Sequence, residues 1–197
     1  RTETTTFRQT DGTDVDIDLM RLDRQEGFRF ATGDDWRAAE LPYRGGSFAL
    51  LVILPGAGQF DAVEERLSVD WLASLVDGLT DQPLSVGLPR FDVADRHDLQ
   101  PLLAMLGTTD LFDPARADLS GLSPDPDLAV DAFAHQTRLA VDELGANTTN
   151  PVEETESGDL PDGAEELTVD RPFLFALRHR PTDSFVLLGR LTHPGSP

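Results

Sequence analysis

The stretch from Val141 to Phe175 constrains this chain more than any other part of it. Val141-Asp-Glu-Leu-Gly-Ala-Asn-Thr-Thr-Asn150 begins with the apolar–polar alternation of a strand. Glu153 to Glu166 then holds seven acids and no base, in a segment poor in helix formers. Val169-Asp-Arg-Pro-Phe-Leu-Phe175 closes it with an apolar run that reads as buried. A long polar segment tied to ordered strands at both ends is uncommon inside a compact domain, and such loops are usually functional. The fold must therefore hold two fixed points and leave the chain between them free of packing.

The remaining sequence is punctuated like a set of sheets. Val15, Ile17 and Leu19 alternate with Asp14, Asp16 and Asp18, and Asp11-Gly12 before them is a turn signal. Phe28 and Phe30 alternate again, and Trp36 to Leu41 reads as a strand ending at Pro42. Phe48-Ala-Leu-Leu-Val-Ile-Leu54, stopped by Pro55-Gly56, predicts a central strand buried on both faces. Phe60 to Asp77 has helical spacing, with Val63, Leu67, Leu72, Leu75 and Val76 on one face and Gly78 as its stop. Leu84 to Leu88 predicts a strand, continued by Phe91 and Val93, and Asp98 to Leu106 a short helix with Leu99, Leu102, Leu103 and Leu106 apolar. Leu128 to Asp142, Leu167 to Leu177 and Ser184 to Leu191 read as further strands, the last two joined by a turn at Arg180-Pro-Thr-Asp183. The class is α+β, strand-dominated, with more than one sheet.

Composition narrows the partners. Asp and Glu number 36 against 16 basic residues, all of them Arg, for a formal charge of −20. The simplest physical reading is adaptation to concentrated salt, because screening over about 3 Å removes most self-repulsion in molar salt. An acidic face for a basic partner is the competing reading, and the spread of acids along the whole chain favours the first. No basic stripe is present to neutralise phosphates, which argues against nucleic acid. With no Cys there is neither a disulfide framework nor a Cys-based metal site. No apolar run reaches the roughly 18 residues needed to span a bilayer.

Several short motifs, in order, resemble the C-terminal half of the serpins, the serine protease inhibitor family. They are Leu41-Pro-Tyr-Arg-Gly-Gly46 before the apolar strand, Leu88-Pro-Arg-Phe91, Leu106-Gly-Thr-Thr-Asp-Leu-Phe112 and Ala117-Asp-Leu-Ser-Gly121. His135-Gln-Thr-Arg-Leu139, Asp170-Arg-Pro-Phe-Leu-Phe175 and Leu188-Gly-Arg190 with Pro194 complete the series. The composition resembles haloarchaeal proteins. The resemblance implies that residues 1–197 form the C-terminal portion of one serpin domain, with 146–168 as its reactive-centre loop. Arg1 in place of Met suggests residues upstream, so the chain is expected to be a piece of a longer protein or half of a split one. The N-terminal half of the same fold is then its first partner, and the strand near 128–144 is left with an open edge.

The resemblance also implies a mechanism. A serine protease cuts the loop, and the freed arm inserts as a new strand and traps the acyl-enzyme; the inhibitor is consumed and catalyses nothing. The hinge falls on Glu143, Gly145, Ala146, Asn147, Thr148 and Thr149, small or turn-forming residues that suit insertion. Family spacing counted from each side brackets the scissile bond between Asp159, Leu160 and Pro161. Asp159 implies an acid-preferring protease and Leu160 a chymotrypsin- or subtilisin-like one. His135 matches a histidine buried in a hydrogen-bonded cluster beneath the family's large sheet. No cofactor or metal is implied, and the location is extracellular or cell-envelope, with a cytoplasmic one as the alternative.

Pro151 cannot donate to a strand ladder, and Glu153, Glu154 and Glu156 add charge to the same arm. These residues carry the alternative reading, a non-inhibitory protein of the same fold that is cut as a substrate or serves as a binding or chaperone-like module. A hydrolase built on Ser47, His97 and Asp98 lacks a Gly-x-Ser-x-Gly elbow. Asp11 to Asp18 is rich in acids like a calcium loop but lacks the distal Glu, and reads as a solvated strand face.

Overall fold

The run Phe48–Pro55 forms strand β5 in the interior of the largest sheet, as its uninterrupted apolar character requires. The computed structural model describes residues 2–24, 26–123, 128–143, 145–146 and 160–194. Among them are thirteen strands and three short α-helices. The six-stranded sheet has the order β13 (Ser184–Leu191), β12 (Phe173–His179), β5, β4 (Trp36–Pro42), β3 (Arg29–Thr32) and β6 (Thr80–Asp81). A four-stranded sheet runs β1 (Thr2–Arg8), β2 (Asp14–Arg24), β7 (Leu84–Pro89) and β11 (Glu165–Thr168). A three-stranded sheet runs β10 (Gly145–Ala146), β9 (Ala134–Asp142) and β8 (Phe91–Asp98).

The chain divides into two compact units, Arg1–Asp92 with Ala140–Pro197, and Val93–Leu139. In the first, one face of the six-stranded sheet packs on α1 (Phe60–Glu65) and α2 (Val69–Asp77). Leu51, Ile53, Leu174 and Ala176 meet Val63, Leu72, Leu75 and Val76 there. A single helix is predicted over 60–77, but the chain makes two. Ser68 turns extended and its side chain accepts from the Trp71 N–H, an N-cap worth about 1 kcal/mol that restarts the helix. The other face carries Phe173 and Phe175, against which Phe91 packs at ring-centroid distances of 5.8 and 5.2 Å. Gly189 lies over Phe175 so closely that a Cβ there would sit 2.4 Å from the ring.

Two charged groups are buried in this sheet, Glu40 and Arg178. Glu40 on β4 is 1 % exposed, and three guanidiniums surround it: Arg178 at 2.7 Å, Arg180 at 3.2 Å and Arg29 at 3.5 Å. Arg29 also donates to the carbonyls of Val76 and Leu79 at the end of α2, and Arg178 pairs with Asp183.

The single strand expected over 167–177 is two. The chain leaves the four-stranded sheet after Thr168 and enters the six-stranded one at Phe173. Arg171-Pro172 lies at the crossing, where the proline has no N–H to give a ladder. In the second unit the strand predicted over 128–142 begins only at Ala134. Helix α3 (Gln100–Met105) forms as expected, but none of its residues is buried, because nothing among the described residues covers Leu102, Met105 or Leu106.

Candidate functional site

The two ends of the acidic segment are fixed, and both are fixed largely by arginine. At the incoming end, β9 stops at Asp142 and the chain folds straight back, so that Gly145 pairs with Asp142 and Ala146 with Val141. Between them Glu143 accepts from the Thr2 hydroxyl at 2.6 Å and from the Arg90 guanidinium at 2.5 Å. The hydroxyl and then the guanidinium favour the ionised form, and hold this carboxyl at about 2 against an ordinary 4.5.

At the outgoing end, Leu160 is half-buried and Pro161 exposed. A turn follows, closed by the Ala164 N–H on the Pro161 carbonyl at 3.1 Å, with Gly163 at φ +85°. The chain then enters β11, parallel to β7, with Leu167 fully buried opposite Val86. Glu166 pairs with Arg21 at 2.9 Å and accepts from Thr168 at 2.8 Å, and its carbonyl accepts from Arg37 at 3.1 Å. Its carboxyl is also held below the usual range, first by Arg21.

Of the residues expected to matter, Glu143, Gly145 and Ala146 are brought together at the incoming end. Asn147, Thr148, Thr149 and Asp159 lie outside the described residues, and Leu160 and Pro161 begin the outgoing end. His135 is exposed, with the Thr137 hydroxyl near its ring at 3.5 Å; the resemblance places its other partners in the N-terminal half of the fold. His97 pairs with Asp95 at 3.0 Å and Asp98 accepts from the Gln100 N–H at 3.0 Å, so neither is directed to Ser47. Asp14 is engaged by Arg8 at 2.9 Å and Asp11 by the Thr13 N–H at 2.8 Å, the interactions of a strand and turn. Among the described residues no group of three or more His, Asp or Glu is arranged to hold a metal, and no helix is long and apolar enough to cross a membrane.

A family model described as serpin (serine protease inhibitor) matches residues 1–194. The chain belongs to the serpin family. Serpin B12 of Mus musculus is 32% identical over 187 residues, which cover 89% of this chain and 44% of that protein. Leukocyte elastase inhibitor of Bos taurus is 31% identical over 185 residues, 90% of this chain and 49% of that one. The native thermophilic serpin tengpin superimposes with a TM-score of 0.81 at 22% identity, covering 98% of this chain and 50% of its own. Native protease nexin-1 with heparin gives 0.75 at 26% identity, with the same coverage. The chain spans about half the length of the curated relatives it matches.

In this serpin the anchors Thr2, Arg90, Arg21 and Arg37 were not singled out by sequence reasoning, because each acts on a residue far along the chain. The one local hint was Arg90, next to Leu88-Pro89 at the end of a strand. The Glu143 clamp has a pH signature. Its carboxyl is depressed in the folded chain, so the stabilisation is complete above about pH 4.5 and disappears as pH falls toward 2. At 38% exposure, solvent screening reduces its worth to about 1 kcal/mol. Glu143→Gln should therefore be less stable than the parent at neutral pH and equal to it near pH 2, as read by denaturant unfolding. A carboxyl-carbon NMR titration should find the Glu143 midpoint near 2; an ordinary midpoint would mean that no clamp exists.

Proposed function

We propose that this serpin inhibits a serine protease by offering the segment 146–168 as bait and inserting its freed arm beside β9. The pairing of Gly145 and Ala146 with β9 carries the reading, since it is the first rung of such an insertion. Among the described residues β10 is the strand that pairs with that side of β9, and a freed arm would extend this pairing along β9 toward Ala134. Continuing the same register sets Thr148 opposite Leu139, Asn150 opposite Thr137 and Val152 opposite His135. Side chains alternate across a strand, so on insertion Ala146, Thr148, Asn150 and Val152 would fall on the face of buried Leu139 and Val141. That face receives small or apolar residues. Glu153 falls on the opposite face, level with Ala134, the first residue of β9.

A second reading rests on Pro151. In the same register it lies opposite Gln136, in the body of β9, where it has no N–H to contribute. A chain that stalls there is cut and released as a substrate. The rest of the fold is the other required partner. The edge strand β13 leaves Val186 61% and Leu188 49% exposed, an apolar margin suited to further strands of the same domain.

The test mixes the protein at its natural length with a subtilisin-like protease in high salt and resolves the products on a denaturing gel. Inhibition gives a band of covalent complex, and Pro151→Ala increases its yield. Clean cleavage near Leu160 with the protease still active assigns the protein to the second reading.

A further inference from the structure

We propose that Arg21 is the positioning residue that keeps the outgoing end of the loop docked, through an ion ladder that salt loosens. The proposal rests on the bait-loop reading for its purpose but not for its test. β11 is a weak element by itself: four residues, at the sheet edge and paired in parallel with β7 alone among the described residues. It is nevertheless where the loop must hold while the other arm leaves.

Arg21 sits on β2, one strand removed from β11, directly opposite Gly87 of β7. Gly87 is in turn opposite Thr168 of β11. A Cβ at position 87 would meet Leu19 Cδ2 at 2.9 Å and Thr168 Cα at 3.6 Å, so glycine lets these strands pack closely at this row. From β2 the Arg21 side chain reaches past β7 to β11. Its Nε donates to Glu3 of β1 at 2.8 Å and its Nη1 to Glu166 of β11 at 2.9 Å. One guanidinium thus ties both edge strands of the sheet to its interior. The Thr168 hydroxyl orients the Glu166 carboxylate from within β11.

The ladder is open to solvent, with side-chain exposures of 29% for Arg21, 42% for Glu3 and 57% for Glu166. Because these carboxylates reach solvent, screening over about 3 Å in molar salt weakens such pairs. Burial of Leu167 does not depend on salt in this way. β11 is therefore held by a salt-insensitive apolar anchor and a salt-sensitive ionic one, and Arg21 is the main part of the second, beside Arg37 on the Glu166 carbonyl.

Amide hydrogen exchange on the uncut protein at its natural length tests this, with β5 as internal reference. In the parent, exchange of 165–169 should accelerate with added salt while β5 stays protected. In Arg21→Gln it should be roughly threefold to fivefold faster from the outset and indifferent to salt. Glu166→Gln should behave the same way, and the double variant no worse than either single one. The proposal is overturned if Arg21→Gln exchanges like the parent, if β5 accelerates equally, or if the two substitutions add. Should Arg21→Gln fail to fold, Glu166→Gln at the exposed end decides alone. No protease is involved, so a missing covalent band would leave this result standing.

Discussion

Glu40→Gln should lower the unfolding free energy by about 3 kcal/mol, measured by denaturant titration at fixed salt. The carboxylate is 1 % exposed and is the shared acceptor of Arg178, Arg180 and Arg29. Removing its charge leaves Arg178, 8% exposed, with the surface carboxylate of Asp183 as its one acidic partner among the described residues. Breaking a buried ion pair from one side typically costs about 3–5 kcal/mol, because the remaining charge stays desolvated. Arg29 and Arg180 reach solvent and can rehydrate, which sets the expectation at the lower end. The pair itself need not be stabilising. Glu40→Leu with Arg178→Met should therefore recover most of the loss, since apolar replacement of both partners is often neutral. If the single variant loses less than about 1 kcal/mol, Glu40 is not the hub described.

Gly189→Val should be nearly as damaging, at about 3 kcal/mol. The obstacle is the Phe175 ring: a Cβ at 189 meets its Cζ at 2.4 Å and its Cε2 at 2.7 Å. Phe175 is 1% exposed and wedged between Phe173 and Phe91, so its ring has nowhere to go. Phe175→Leu in the same chain should relieve part of the strain while opening a smaller cavity. Thermal unfolding of the parent and the two variants gives the order. A Gly189→Val protein as stable as the parent would mean that the ring is free to move.

Much of this fold was legible because its signals are local. Phe48 to Leu54 announces a strand with apolar neighbours on both faces, and Asp14 to Leu19 one with a wet face and a dry face. Short apolar and turn motifs in order also carried the family. Competing local chemistry was harder to see: Ser68 caps a new helix inside an apolar pattern that reads as continuous, and Pro172 divides one apolar run between two sheets. The anchors were beyond reach for a different reason. Glu143 meets Thr2 at a separation of 141 residues, Glu166 meets Arg21 at 145 and Glu40 meets Arg178 at 138. Charges so far apart find each other only through the topology of the sheets, which no window of sequence contains.

The crossing at Pro172 has a final consequence. Once the backbone is severed near Leu160, the downstream fragment still owns β12, hydrogen-bonded on both sides and almost wholly sealed from water. Nicked molecules should thus travel as a single particle in a native separation and fall into two pieces only in detergent. What a proteolytic cut releases is slack in the chain, not a peptide.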